Sequence, residues 1–235
     1  QTGLMRDGEL KTARTAPTPA EGSVDDVLHQ IAAEIDAFSD RGDLDGIGVG
    51  VPSVVDVEHG IVYDVQNIPA WTEVPLKDWL EARYDRPVAI NNDANCFALG
   101  EHRFGAGQGH DAMIGLILGT GFAGGIIMDG ALYSGHNCGA GEFGTMPYRD
   151  SILEHYCAGL FFQRTYGISG AEAFQRAEAG DAEAQAMFAE MGQHLGRGLQ
   201  MVLYAYDPSF IVFGGSVRHA FPYFSAAMWD ALDDF

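Results

Sequence analysis

Asn91-Asn92-Asp93-Ala94-Asn95 stands where an apolar strand gives way to a helix. A carboxylate displayed at a strand end can take the proton of a hydroxyl, and a helix N-terminus beside it keeps the carboxylate ionised. Such a weak base suits phosphoryl transfer, whose loose transition state depends on positioning more than on base strength. Asp and Asn are also favoured helix caps, so the same five residues fit a purely capping role. A second acid, Glu142, lies among small residues in Gly139-Ala-Gly-Glu-Phe-Gly-Thr145, and Glu154 follows twelve residues on. Each carboxylate can accept from two sugar hydroxyls, so Glu142 and Glu154 with Asn92 and Asp93 make a lining for a polyhydroxylated ligand. In a chain this acidic, either Glu taken alone also fits a solvated surface position.

Two glycine-bearing turns suit phosphate. Leu118-Gly119-Thr120-Gly121-Phe122-Ala123-Gly124-Gly125 links two apolar strands, and glycine lets backbone N–H groups converge on an anion. Phe210-Ile-Val-Phe-Gly214-Gly215-Ser216-Val217 is a strand, a small-residue turn and a helix start, where a phosphate or a flat ring can approach. A plain hairpin and ordinary strand–helix packing remain open for these two segments.

The elements that must hold these residues alternate between the two types. The opening residues predict two strands around an Asp-Gly turn. Ser23 to Ser39 reads as a helix capped by Ser23, and GIGVGVPSVV as a buried strand closing on Pro52. Trp71 to Tyr84 is predicted helical, Pro87 to Ile90 a strand, Asn91-Asn92-Asp93 a polar turn and Ala94 to Phe104 a helix. Strands are expected over Met113 to Leu118, Gly124 to Met128 and Phe210 to Phe213, and helices over 153–166, 184–206 and the stretch after Ser216. This alternation indicates an α/β class. The opening strand has no lead-in and AAMWDALDDF stops within an amphipathic helix, which suggests a fragment or unseen termini.

Taken together and in order, these segments resemble the ROK family of sugar kinases, a branch of the actin-like ATPases. The resemblance rests on GIGVGVPSVVD, Val65-Gln-Asn-Ile-Pro-Ala-Trp71, NNDANCFALGEHRFGAG, LGTGFAGGIIMDGALYSG, CGAGEFG and DPSFIVFGGSV, and runs over nearly the whole chain. It implies a two-domain actin-like ATPase (ribonuclease H-like) α/β fold with an interdomain cleft. Residues 1–94 would form the smaller domain and 95–235 the larger. It implies that Asp93 is the general base and that Asn92, Glu142 and Glu154 bind sugar hydroxyls. Gly119, Thr120 and Gly121 would cradle the phosphates of ATP, and Gly214, Gly215 and Ser216 would line the adenosine side. The implied reaction is Mg²⁺- and ATP-dependent phosphorylation of a hexose hydroxyl, glucose to glucose 6-phosphate first, with fructose, mannose or an N-acetylhexosamine as alternatives. A homodimer is implied as well.

Three departures from the family pattern qualify this. The opening Asp-x-Gly-Gly-Thr phosphate loop is missing, and residues 1–10 resemble the second half of its hairpin, so phosphate and Mg²⁺ handling by these residues alone would be incomplete. Thr145 replaces the family His, and the Cys-rich loop that should follow is absent, so no zinc is expected. Ser53 and Val54 stand where Gly-Pro is usual; Ser53 and Thr145 are therefore expected beside the sugar.

Composition narrows the classes. There are 13 Lys+Arg against 33 Asp+Glu, a net charge of −20, with lysine only at 11 and 77. That charge disfavours nucleic acid and anionic membranes as partners. It suits a high-salt cytoplasm, and equally an acidic protein from an arginine-using genome. Cys96, Cys138 and Cys157 give no disulfide framework or CxxC pair, so reduced cytoplasmic thiols are expected. The rival to a kinase is a sugar-sensing regulator of the same family, which would carry a DNA-binding region ahead of residue 1.

Overall fold

The computed structural model describes residues 1–38 and 44–233. Ser39, the expected end of the first helix, and the final Asp234-Phe235 lie outside them. The chain forms two compact units: Gln1–Cys96 with Gly135–Gly139, and Phe97–Ser134 with Ala140 onward.

The first unit opens with β1 (Thr2–Arg6) and β2 (Glu9–Arg14), an antiparallel hairpin turning at Asp7-Gly8. The first helix, α1 (Val24–Asp36), starts as its sequence predicts. Ser23 Oγ accepts from the Asp26 amide at 3.2 Å, and the Asp26 carboxylate accepts from the Ser23 amide at 2.8 Å. This reciprocal cap satisfies two otherwise orphaned donors. Val27, Leu28, Ala32 and Ile35 form its buried face. Strand β3 (Ile47–Val51) follows, then a short meander, β4 (Val54–Asp56), β5 (Ile61–Tyr63) and β6 (Glu73–Pro75). Helix α2 spans Leu76–Tyr84. The helix expected from Trp71 thus begins five residues late. Val74 is buried in a strand paired with Val62, and Pro75, which cannot donate a helical hydrogen bond, precedes the first turn. Strand β7 (Val88–Asn92) pairs parallel to β3. Asn91 and Asn92, expected in a polar turn, are therefore its last two residues, paired with Gly50 and Val51. The unit also has an open cavity of about 380 Å³ lined by Val27, Ile31, Ile35 and Trp71 together with Gln1, Gln30 and Glu34, and none of the candidate site residues reaches it.

Helix α3 (Asp93–Phe104) follows β7 with no intervening residue, and the second unit begins within it. That unit is built on a four-stranded sheet. Strand β8 (Met113–Leu118) sits between β9 (Phe122–Met128), antiparallel, and the late strand β13 (Phe210–Gly214), parallel. Strand β10 (Ala131–Tyr133) closes the far edge beside β9. Buried on both faces, β8 is an unbroken apolar run, as a central strand should be. A 3₁₀ turn over Phe143–Thr145 leads into a hairpin of β11 (Pro147–Tyr148) and β12 (Ser151–Ile152). Helices α4 (Glu154–Cys157), α5 (Leu160–Tyr166), α6 (Gly170–Glu178) and α7 (Ala182–Tyr206) complete the body before β13, and α8 (Phe221–Asp230) ends it.

The single helix expected over 153–166 is broken at Ala158, whose backbone is extended. The core packs Leu116, Leu118 and Ile126 of the sheet with Phe161, Phe162, Phe188, Leu195 and Phe224 of the helices. No helix among the described residues is long and apolar enough to cross a membrane.

Candidate active site

The first unit presents Asp93, Asn92 and Ser53 together. Asn92 is 8% exposed, and its side chain ties the strand end to the helix start. Its Oδ1 accepts from the amides of Ala94 at 2.9 Å and Asn95 at 3.4 Å, and its Nδ2 donates to the Ser53 carbonyl at 3.3 Å. Asn91 and Asn95 brace this junction, Asn95 Nδ2 donating to Asn91 Oδ1 at 3.0 Å. The capping role foreseen for the pentapeptide thus falls on Asn92, and it frees Asp93 for other work. Ser53 donates its hydroxyl proton to the Tyr63 carbonyl, which leaves its oxygen lone pairs to accept.

Asp93, first residue of α3, receives the Ala94 amide on Oδ1 at 2.9 Å. Although it is solvent-accessible, the protein packed around it lifts its pKa above the ordinary carboxylate value; the helix-start amides oppose this and are outweighed. On sequence grounds the helix terminus dominates. Desolvation, which sequence does not display, wins and makes Asp93 a stronger base.

The second unit holds the remaining candidates around one turn. Gly119, Thr120 and Ser216 line a single cavity of about 500 Å³, with Phe162, Phe174, Phe188 and Val217 as apolar walls and Gln163, Ser169 and His219 as polar ones. A size of this order and a mostly apolar lining with a few polar groups suit a nucleoside. The turn is held from outside by the break between α4 and α5. The Gly159 amide donates to the Gly119 carbonyl at 2.8 Å, and the Leu160 amide to the Thr120 carbonyl at 3.2 Å. A Cβ at Gly159 would stand 2.9 Å from the Gly119 oxygen, so glycine permits this approach. Gly214 and Gly215 do not line the cavity. A side chain at Gly214 would meet the Phe97 ring at 2.6 Å, and one at Gly215 the Leu118 carbonyl at 2.2 Å.

The turn's other end carries Glu154. Its Oε2 accepts from the Phe122 amide at 3.3 Å and lies 2.7 Å from where a Cβ on Gly121 would be. The 3₁₀ turn bearing Glu142 and Thr145 abuts it, since a Cβ on Gly144 would lie 3.1 Å from the same oxygen. Thr145 Oγ1 donates to the Glu142 carbonyl at 2.8 Å. Gly141 makes the turn possible: its φ is +95°, and a Cβ there would stand 1.7 Å from the Gly124 carbonyl.

One loop, Gly119 to Phe122, therefore has a nucleoside-sized cavity at its first half and a carboxylate at its second. Residues 2–234 match the sequence profile of the ROK family. The chain belongs to the ROK family.

Its relatives agree. The glucokinase of Thermotoga maritima is 30% identical over 92% of this chain and 78% of its own length. The N-acetyl-D-glucosamine kinase of Escherichia coli is 32% identical over 98% of this chain and 84% of its own. The crystal structure of a ROK family glucokinase from Streptomyces griseus, in complex with glucose and AMPPNP, superposes with a TM-score of 0.83 at 29% identity, covering 98% of this chain and 85% of that one. The fold is therefore the actin-like ATPase α/β fold of ROK sugar kinases.

Sequence reasoning missed Gly159, Leu160 and the aromatic walls of the cavity. Gly159 was a visible breaker inside a predicted helix. The aromatic walls come from α5, α6 and α7, and no local pattern links them.

Proposed function

We propose that this ROK protein transfers the γ-phosphoryl group of ATP to a hexose hydroxyl, with glucose as the preferred acceptor and O6 as the attacking oxygen. The observation that carries the reading is the Gly119–Phe122 turn, with the nucleoside-sized cavity at one half and Glu154 at the other. A phosphoryl group must pass between a nucleotide and a sugar, and this turn adjoins a candidate site for each. Adenosine occupies the aromatic cavity, and the turn's backbone faces the phosphates. Glu142 and Glu154 accept from sugar hydroxyls, and Asn92 and Ser53 hold the junction that carries Asp93. Asp93 accepts the proton of the attacking hydroxyl as the new P–O bond forms and ADP departs.

Among the described residues no three His, Cys, Asp or Glu converge as a metal cage. Mg²⁺ that arrives on ATP needs only one or two carboxylates, so the acidic residues present fit it in that form. When bound it would neutralise phosphate charge. The preference for glucose is supported by the relatives named glucokinase; the E. coli relative named for N-acetyl-D-glucosamine supplies the competing acceptor.

The test is a coupled ADP-release assay of the full-length protein on glucose, mannose, fructose and N-acetylglucosamine. Glucose should give the highest kcat/KM. Sugar binding without ADP release on any of them would point to a sensor instead. Two finer results are expected. The base works deprotonated and the protein packed around it raises its pKa, so activity should fall as pH drops through a value above the ordinary Asp value of about 3.9. In the pH profile of kcat/KM, an acid limb at or below that value would contradict the raised base. Ala171 lines the nucleoside cavity and is exposed, so Ala171→Phe should fill the cavity without disturbing the core. The KM for ATP should rise about tenfold or more, with glucose affinity by calorimetry unchanged.

A further inference from the structure

His194 is the one buried histidine among the described residues, at 4% exposure, and the reaction above does not use it. It sits on α7 where three other segments meet. Its Nδ1 is 3.1 Å from the Tyr148 hydroxyl of the β11–β12 hairpin. Its ring meets those of Tyr148, Tyr156 on α4 and Phe161 on α5 edge-on, at centroid distances of 5.7, 5.1 and 6.0 Å. Its Nε2 faces Glu190 Oε1 at 3.9 Å, and the other Glu190 oxygen accepts the Tyr166 hydroxyl at 2.5 Å. Burial, with the Arg149 charge adding and the Glu190 carboxylate opposing, holds the imidazole below its ordinary pKa, which favours the neutral ring. In the tautomer that carries its proton on Nε2, the side facing the Glu190 carboxylate, the Nδ1 lone pair accepts from Tyr148.

The segments gathered at this ring are the ones that carry Glu154. A hairpin of two residue pairs has too few ladder bonds to hold itself in place, and a four-residue helix has no stability of its own. Glu154 is the first residue of the helix, and Leu153 alone separates it from the hairpin. Helix α7 grips the same stretch a second time: Leu153 packs so closely on Gly198 that a Cβ there would be 2.8 Å from Leu153 Cδ2.

We propose that His194 is a positioning residue for sugar binding: by accepting the Tyr148 hydroxyl and packing on Tyr156 it fixes the hairpin and the short helix that opens with Glu154. This rests on the reading that Glu154 holds a sugar hydroxyl. The specificity element is thereby extended to a buried histidine that touches no substrate.

The test uses four single variants and one double variant, with glucose Kd by calorimetry, KM for ATP and Tm measured on each. H194F keeps the ring and its edge contacts but deletes Nδ1, and Y148F deletes the hydroxyl from the other side. Both should weaken glucose binding about fivefold, the factor one neutral hydrogen bond commonly gives, with KM for ATP unchanged. The double variant should be no worse than either single one. H194N returns an acceptor near the Nδ1 position and should recover most of the glucose affinity. A merely structural histidine predicts a different result: Tm falls in H194F and Y148F while glucose Kd stays at the wild-type value, and that outcome overturns the proposal. If H194F does not fold, Y148F carries the same comparison alone. E154Q separates the two layers. Weaker glucose binding in E154Q with no change in H194F and Y148F refutes only the role of His194, whereas unchanged binding in E154Q refutes both readings.

Discussion

Asp93→Asn is expected to lower kcat for glucose phosphorylation by about a thousandfold while leaving glucose affinity within a factor of about two, general-base removal typically costing 10²–10⁴ in rate. The substitution is informative because so little else changes. The Asp93 side chain accepts the Ala94 amide through Oδ1, and an Asn side chain keeps an oxygen there. The helix start is capped separately by Asn92, so α3 does not depend on the Asp93 charge. Only the capacity to take a proton is lost. Turnover near the wild-type rate would mean that the attacking hydroxyl gives its proton elsewhere. A large loss of glucose affinity would mean that Asp93 acts mainly as a sugar ligand.

Gly141→Ala is expected to be strongly destabilising. Its φ of +95° disfavours any side chain, and the added Cβ would lie 1.7 Å from the Gly124 carbonyl, a backbone atom of a strand that cannot step aside. Positive-φ strain and a displaced backbone together should cost about 3 kcal/mol. For a chain of this size that corresponds to a fall in Tm of roughly 6–12 °C. The adjacent Glu142 would move with it, so glucose affinity should fall as well. Gly139→Ala is the matched control two positions earlier: a Cβ there meets nothing within 4 Å, and stability should stay within about 0.5 kcal/mol. Equal melting temperatures for the two variants would show that the close pass of Gly141 against β9 does not hold in solution.

Where local chemistry decides structure, the sequence was readable. Ser23 caps α1, the apolar run 113–118 is a central strand, and the glycine-rich stretch after it turns between β8 and β9. Where distant partners decide, it was not. Glu73–Pro75 became a strand because Val74 finds Val62 across the meander; Pro75 was the local clue against helix. The helix at 153–166 broke because Gly159 and Leu160 give their amides to the Gly119–Thr120 carbonyls, forty residues back. Helix α6 carried its own signal, Ser169 capping the amide of Glu172, and was still missed.

The candidate site shows the same division. Asp93, Asn92, Glu142 and Glu154 could be picked out by residue type and neighbours. That Asn92 would cap the helix, that partial desolvation would raise the Asp93 pKa, and that three aromatic rings from separate helices would wall the nucleoside cavity all depend on tertiary packing.

The most direct measurement of the central claim is phosphorus NMR of the full-length protein incubated with ATP, Mg²⁺ and glucose. The account predicts a hexose 6-phosphate resonance growing in step with ADP, and none in the Asp93→Asn variant. Inorganic phosphate growing in place of a sugar phosphate, or intact ATP beside demonstrably bound glucose, would contradict it.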